Sequence, residues 1–252
     1  MIERPGTFED FGRRLAHTID ASVARMVDGR SRVAVAFSGG LDSSIIASCA
    51  KRRSGVVACS AFTEESLDSR SASRGAAILG IELIATRLDR EAVTSELKGM
   101  DLPFQTSLMD KSLWCLYSIV SKSAARRGAE VIMLGQLADE LFGGYAKYQS
   151  ALTDAGERAA ATMMDRDVRE YQARGMARDV NACSRWLGPR FPFAEKEVVD
   201  LGRSIPVSYK IRGGVRKAVL REAAAVLGVP EELVNAAKKA AQYSSGIQRL
   251  AR

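Results

Sequence analysis

The stretch "SGGLDSS", Ser38 to Ser44, combines residue types that suit the binding of phosphate groups. Two adjacent glycines let the backbone turn tightly and present its N–H groups without obstruction by side chains. The serine hydroxyls add hydrogen-bond donors, and the N-terminus of a following helix favours an anion. Asp42 has the wrong charge for a phosphate unless it holds a cation, and Mg²⁺ is usually bound by one or two carboxylates together with phosphates. The stretch therefore predicts a pyrophosphate cradle with a magnesium ion.

The segments around this turn predict the elements that position it. Residues 33–37, "VAVAF", form a short apolar run that is typical of a strand buried on both faces in a parallel sheet. Three more candidate strands, "VVACSAF", "IELIATRL" and "EVIMLG", alternate with helical segments. This alternation predicts an α/β fold with a doubly wound parallel sheet, in which ligands bind at the carboxyl ends of the strands.

The organisation of the chain changes after Tyr145. Residues 151–252 are rich in Ala, Arg and Glu, with helical periodicity and no convincing strand. We therefore expect an N-terminal helix within residues 1–30, a nucleotide-binding α/β core at residues 31–150, and a helical lobe at residues 151–252 that packs on the core.

Composition narrows the classes of function. The single histidine, His17, rules out Ser-His-Asp and metal–histidine chemistry. Four scattered cysteines, with no C-x-x-C pair, predict buried free thiols rather than a zinc site or disulfides. No apolar run reaches the roughly 20 residues of a membrane span, and the first residues lack the apolar core of a signal peptide, so we expect a cytoplasmic protein without membrane contact. The net charge of +7 fits either phosphate-rich partners or a surface with excess Lys and Arg.

The seven residues "SGGLDSS" are the signature of the PP-loop ATP pyrophosphatase superfamily, and the "LDSS" form resembles its asparagine synthetase branch. The resemblance implies an adenine nucleotide alpha hydrolase-like fold and cleavage of ATP between its α and β phosphates, which adenylates a substrate. It places the pyrophosphate of ATP in the cradle, the adenine at the backbone of Ala61, and the adenosine against Gly135. The positions that it assigns to the nucleotide are Phe37, Ser38, Gly39, Gly40, Leu41, Asp42, Ser43, Ser44, Ala61, Leu134 and Gly135.

A second segment, "EVIMLGQLADELFGGYAKY", resembles another motif of the same family. Asp139 matches the family's second magnesium-binding acid, so Asp42 and Asp139 would form a two-carboxylate metal site. Gln136 departs from the pattern, because the family carries Glu or Asp there, and a second departure is Leu102, which also replaces an acid. An amide cannot act as a general base, although it can donate a hydrogen bond to a phosphate or a carboxylate.

The resemblance continues towards the C-terminus. The segment "IPVSYKIRGGVRKAVLREAA" is similar to the family's Ile-Pro turn, lysine and Lys-x-x-Leu-Arg helix. "KKAAQYSSG" occupies the place of a late lysine that contacts the phosphates, a role that we assign to Lys239, with Lys238 as the alternative register. A lysine there would offset the charge that develops on the departing pyrophosphate.

These observations predict an ATP-dependent, AMP- and pyrophosphate-forming amide ligase. By resemblance the carboxylate substrate is aspartate by default, and the acceptor is ammonia or another amine. Residue 2 is Ile, whereas the family's glutaminase domain begins with a cysteine after the initiator Met, so we expect ammonia from solution or from a separate partner. One alternative is a PP-loop enzyme that adenylates a tRNA base before sulfur or nitrogen transfer, motivated by the net charge, Cys59 and Gln136. The other is a non-catalytic nucleotide-binding subunit, motivated by Gln136.

Overall fold

A five-stranded parallel sheet forms the centre of the computed structural model, which describes residues 6–63, 68–236 and 246–251. Its strands lie in the order β3-β2-β1-β4-β5. They are β1 (Arg32–Ala36), β2 (Gly55–Phe62), β3 (Glu82–Arg87), β4 (Val131–Met133) and β5 (Gly188–Arg190). The chain runs outward from β1 to β3 on one side and then adds β4 and β5 on the other side. This is a doubly wound sheet, as predicted, and its topological switch point lies between β1 and β4.

Helices cover both faces of the sheet. The larger ones are α1 (Phe8–Val27), α2 (Leu41–Lys51), α3 (Asp68–Leu79), α4 (Arg90–Leu97), α5 (Leu108–Arg126), α6 (Ala138–Phe142), α7 (Ala146–Glu170), α8 (Met176–Ser184), α9 (Lys196–Ser204) and α11 (Ala218–Val226). Short helices are α10 (Val207–Lys210), α12 (Glu231–Val234) and the terminal Ile247–Leu250, and a π-helical turn, Tyr171–Gly175, joins α7 to α8. A two-stranded antiparallel hairpin, β6 (Ile211–Arg212) and β7 (Val215–Arg216), precedes α11.

The central strands are apolar because alternate side chains enter two separate cores. Val33 and Val35 of β1 pack in one core with α1, α2 and α11, whereas Ala34 packs in the other with α5. Ile132 of β4 likewise lies in the second core, while its neighbour Met133 lies in the first. A strand that faces a hydrophobic layer on both sides reads as a continuous apolar run, which is the pattern on which the sheet prediction rested.

The prediction that residues 151–252 contain no strand was wrong. β5 pairs with β4 in parallel, in the register Val131 with Gly188 and Met133 with Arg190, and so completes the sheet from beyond residue 150. Its sequence, Gly-Pro-Arg, has the composition of a turn, but a proline is tolerated on an edge strand because its missing N–H faces away from the sheet. The sheet therefore extends across the boundary that the sequence suggested.

The expectation of buried free thiols agrees with the structure. All four cysteines are buried and free. His17 lies on the exposed side of α1, which falls within residues 1–30, where the sequence predicted a helix. Among the residues described, no helix combines the length and the hydropathy needed to cross a membrane.

Candidate active site

The glycine turn lies at the switch point of the sheet, immediately after β1. Gly39 adopts a φ of +73°, in the left-handed region that favours glycine. A Cβ atom on Gly39 would also lie 2.2 Å from the carbonyl oxygen of Ser71 in α3, so the turn is packed tightly against that helix. Both constraints explain why the sequence places glycine there.

Helix α2 begins directly after this turn and presents its N-terminus to it. The N-cap is Gly40, and no side chain caps the first turn of the helix. The hydroxyl of Ser43 donates to the carbonyl of Gly40 at 3.1 Å and lies 3.4 Å from the backbone nitrogen of Ser38. A helix N-terminus without a side-chain cap, preceded by a glycine turn, suits an anionic ligand.

Two aspartates from different strand ends meet at one lysine. The Nζ of Lys217 lies 2.6 Å from both carboxylate oxygens of Asp42, which follows β1, and 2.6 Å from Oδ1 of Asp139, which follows β4. Gly144 permits this arrangement, because a Cβ atom there would fall 1.8 Å from Oδ1 of Asp139 and 2.5 Å from Cε of Lys217. The predicted convergence of the two acids is therefore present, with an ammonium group between them.

These two acids stabilise the charged ammonium form of Lys217. Burial opposes the ammonium form, but the charges of Asp139 and Asp42 outweigh that effect, so the pKa of Lys217 is raised. Two carboxylates that can share one cation at 2.6 Å are also close enough to hold Mg²⁺ together with phosphate oxygens. No group of three or more His, Cys, Asp or Glu residues in the described ranges could hold a metal by itself. The residues thus fit a magnesium ion that reaches the site with a triphosphate.

The backbone is strained at two positions of the same site. Leu137 and Lys217 are the non-glycine residues with positive φ in the described chain, at 75° and 58°. Leu137 is the N-cap of α6, the helix that carries Asp139. Such conformations cost about 1–3 kcal/mol each and cluster at functional sites. Both therefore support the assignment of this region as functional.

Gln136 belongs to a buried polar network rather than standing alone. Its Nε2 donates to Oδ2 of Asp179 at 2.6 Å, and Asp179 is fully buried. Asp179 also accepts from Nε of Arg178 at 2.8 Å and from the hydroxyl of Tyr171 at 3.1 Å. With its amide nitrogen engaged, Gln136 retains its carbonyl oxygen as an acceptor. An acid at residue 136 would instead oppose the charge of Asp179.

A cavity of about 840 Å³ opens over these groups. Of the predicted site residues, those that line it are Phe37, Ser38, Gly40, Leu41, Asp42, Ser43, Ala61, Gly135, Gln136 and Asp139. Gly39, Ser44 and Leu134 do not line it; Ser44 is fully buried, and the backbone nitrogen of Leu134 donates to Arg190 of β5. Lys238 and Lys239 lie outside the described residues, so their predicted role stays a prediction.

The cavity continues beyond the phosphate turn towards charged and apolar groups. Leu113, Leu116 and Val120 of α5 form an apolar wall, whereas Lys147 and Arg174 bring positive charge to the lining. Lysine and arginine side chains commonly bind the carboxylate group of a substrate.

The thiol of Cys59 also borders the cavity. It is 1% exposed, and burial raises its pKa to about 12. A sulfur-transfer role needs a thiolate, which this environment disfavours.

Lys217 is the site residue that the reasoning from the sequence did not assign. Its segment, "RKAVLR", resembles the family's Lys-x-x-Leu-Arg helix, yet the sequence prediction assigns the phosphate-binding role to the later lysine pair. One feature of the sequence could have pointed to Lys217. It lies just before a predicted helix, in a segment that resembles a family motif. Only the folded chain places it between Asp42 and Asp139, which precede it by 175 and 78 positions.

These features define an α/β nucleotide-binding protein with a phosphate loop of the PP-loop kind at the switch point of its sheet. The family model described as asparagine synthase matches residues 14–182 and 153–251, and the chain belongs to that family. It is 30% identical to a putative glutamine-hydrolyzing asparagine synthetase 1 of Methanocaldococcus jannaschii, over 99% of this chain and 52% of that protein. It is 31% identical to an asparagine synthetase domain-containing protein of Drosophila melanogaster, over 66% of this chain and 31% of that protein.

The chain thus spans about half of the first relative and about a third of the second. Among solved structures, an NMN synthetase from Francisella tularensis superposes with a TM-score of 0.48 at 13% identity, covering 94% of this chain and 77% of that one.

Proposed function

We propose that the chain is an ATP-dependent ligase that forms AMP and pyrophosphate while it joins a carboxylate to ammonia or another amine. The observation that carries this proposal is the meeting of Asp42 and Asp139 on one cation beside an uncapped helix N-terminus. Family membership supports ATP use by a ligase-type enzyme. The identity of the carboxylate, with aspartate as the first candidate, comes from the family alone.

In this proposal the glycine turn binds the β and γ phosphates. The backbone N–H groups at the start of α2 and the hydroxyls of Ser38 and Ser43 donate to phosphate oxygens. Asp42 and Asp139 would hold magnesium, which when bound would supply positive charge to offset that of the phosphates. The ammonium of Lys217 adds fixed positive charge next to the same acids, in a largely buried setting where such charge is effective.

The end of the cavity beyond the glycine turn would bind the carboxylate substrate and the amine. Arg174 and Lys147 would attract a carboxylate towards the α phosphate. The carbonyl oxygen of Gln136 would accept a hydrogen bond from the attacking amine, and its amide is held in place by Asp179. Because Gln136 cannot take up a proton, the amine must arrive as a neutral nucleophile or lose its proton to solvent or to a phosphate.

The test is product analysis with exchange of labelled pyrophosphate into ATP. We expect exchange that requires Mg²⁺ and one particular carboxylate, and AMP rather than ADP once an amine is added. Exchange that responds to tRNA and to no carboxylate would favour the RNA-modifying alternative. ATP binding without formation of any AMP in a single-turnover assay would favour the alternative of a non-catalytic nucleotide-binding subunit. Asp139→Asn should abolish exchange, while Asp200→Asn, which alters an exposed ion pair on α9, should leave it unchanged.

A further inference from the structure

A second cavity, of about 380 Å³, adjoins the active site through helix α6, and we call it the back cavity. Glu140 of α6 lines both cavities, and it follows Asp139 directly in the chain. Much of the lining of the back cavity is apolar. The apolar side chains include Leu141, Met164, Val168, Ile205, Pro206 and Val207.

Every carboxylate that lines the back cavity already has a donor or an ion pair. The pairs are Asp165 with Arg169 and Arg203, Glu157 with the backbone and hydroxyl of Ser208, and Glu140 with the hydroxyl of Tyr145. The cation Arg203 is therefore matched as well. These groups leave no carboxylate in the lining that calls for a positively charged ligand.

Lys210 is the exception. It is 5% exposed and lines the cavity, yet its ammonium makes no hydrogen bond or ion pair with any residue in the described part of the chain. Burial lowers the pKa of Lys210 to about 8, against the opposing charge of Glu157. Proteins seldom bury a charge without a partner, because the loss of hydration is costly. An unmatched ammonium at the wall of a cavity indicates that an anionic group completes the site.

We propose that the back cavity binds a small aliphatic monocarboxylate, whose carboxylate group pairs with Lys210 and whose alkyl chain packs against the apolar wall. Because Lys210 carries a single positive charge, a ligand with a single negative charge balances it, and this favours a carboxylate over a phosphate dianion. Because the acids of the lining are already satisfied, nothing there selects the ammonium group of an amino acid. This site is separate from the proposed ligase reaction and does not depend on it.

The position of the site gives it a route to the active site. A ligand in the back cavity would contact Glu140, and through α6 it would influence Asp139, which contacts Lys217. The two cavities therefore share Glu140, whose neighbour in the chain contacts Lys217.

The experiment compares butyrate with butyramide, its neutral near-isostere, by methyl NMR and by thermal unfolding of the whole chain. We expect butyrate to shift the methyl resonances of Leu141, Val168 and Ile205 in a saturable manner and to raise the Tm, with butyramide binding at least tenfold more weakly. Equal binding of the two compounds would overturn the proposal. Stronger shifts of the same methyls with inorganic phosphate would show that the ligand class is wrong.

The pH dependence supplies a test in the unaltered protein. Butyrate is ionised throughout the range from pH 7 to pH 9, whereas one unit above its pKa of about 8 only about one tenth of Lys210 stays charged. The affinity for butyrate should therefore fall about tenfold from pH 7 to pH 9, and that for butyramide should not change. The other charged groups that face Lys210 are Glu140 of α6, Glu157 and Asp165 of α7, and Arg203 of α9. An affinity that is constant over this range would contradict pairing with Lys210.

Lys210→Met removes the ammonium and keeps most of the side-chain length. We expect this variant to lose the preference for butyrate and, without ligand, to unfold at a higher temperature than the wild type, because it no longer buries an unmatched charge. The matched control is Lys196→Met, at an exposed lysine that pairs with Asp200. It should keep the preference. A Lys210→Met protein that still prefers butyrate would refute the assignment.

Discussion

Replacement of Lys217 by Met tests the arrangement on which the candidate active site depends. In the native protein one ammonium lies between two carboxylates, so its removal takes away the positive charge that offsets the repulsion between Asp42 and Asp139. The nearest oxygens of the two acids lie no more than 5.2 Å apart, twice 2.6 Å, because each lies 2.6 Å from the same nitrogen. At an effective dielectric constant of about 20, two unit charges at this distance repel by about 3 kcal/mol.

This magnitude agrees with the general cost of breaking a buried pair by removing one partner, about 3–5 kcal/mol. We therefore expect Lys217→Met to lower the free energy of unfolding by about 3 kcal/mol in urea at neutral pH without metal. Asp42→Asn in the Lys217→Met background should restore most of the loss, since it removes the repulsion. Lys147→Met, which breaks a half-exposed pair with Asp167, should cost no more than about 1 kcal/mol.

Magnesium extends the test from stability to metal binding. In the wild type the ammonium of Lys217 already lies against both carboxylates, whereas in Lys217→Met Mg²⁺ meets the two acids without that ammonium. We expect Mg²⁺ to raise the Tm of Lys217→Met clearly more than that of the wild type, by the linkage between binding and unfolding. A variant as stable as the wild type, or equal effects of Mg²⁺ on both proteins, would refute the reasoning.

Three further predictions concern the turn, the buried network and the thiols. Gly39→Ala should abolish ATP binding and should destabilise the protein far more than Gly29→Ala does. Gly29 has a similar φ but no atom within 4 Å of an added Cβ, so its replacement should cost about 1 kcal/mol. Equal losses of stability in urea titrations would contradict this prediction. Gln136→Glu should destabilise by about 2 kcal/mol at pH 7 by opposing Asp179. Because that repulsion raises the folded-state pKa of the new acid, the loss should shrink as the pH falls, and a pH-independent loss would argue against it. All four cysteines, whose pKa values burial raises to about 12, should resist iodoacetamide at pH 8 until the chain unfolds, and rapid native labelling seen by mass spectrometry would count against it.

The sheet could be predicted from the sequence where its signal is local. β1 and β2 are apolar runs because each packs against a hydrophobic layer on both faces, and helix α1 shows its buried stripe in the spacing of its apolar residues. β5 could not be predicted in this way. Three residues that include Gly188 and Pro189 carry a turn signal, and they form a strand only because β4 offers a free edge.

The residues of the candidate site likewise differ in whether a local sequence signal predicts them. The glycine turn and Asp42 follow from local composition next to a strand, and Asp139 followed from the resemblance to a family motif. Lys217 could not be assigned, because its role depends on a contact with residues far away in the chain. The same holds for the partner of Gln136, since nothing near residue 136 reveals that Asp179 is buried against it.

The distance along the chain between Asp42 and Lys217 has a consequence for biosynthesis. A nascent polypeptide exposes the first aspartate, and later the second, long before the lysine that contacts both has left the ribosome. Until then the mouth of the sheet lacks the ammonium that lies between the two acids, so this region cannot reach its native arrangement of charges. The centre is thus completed only after residue 217 has been synthesised, when the segment before α11 docks against the two acids.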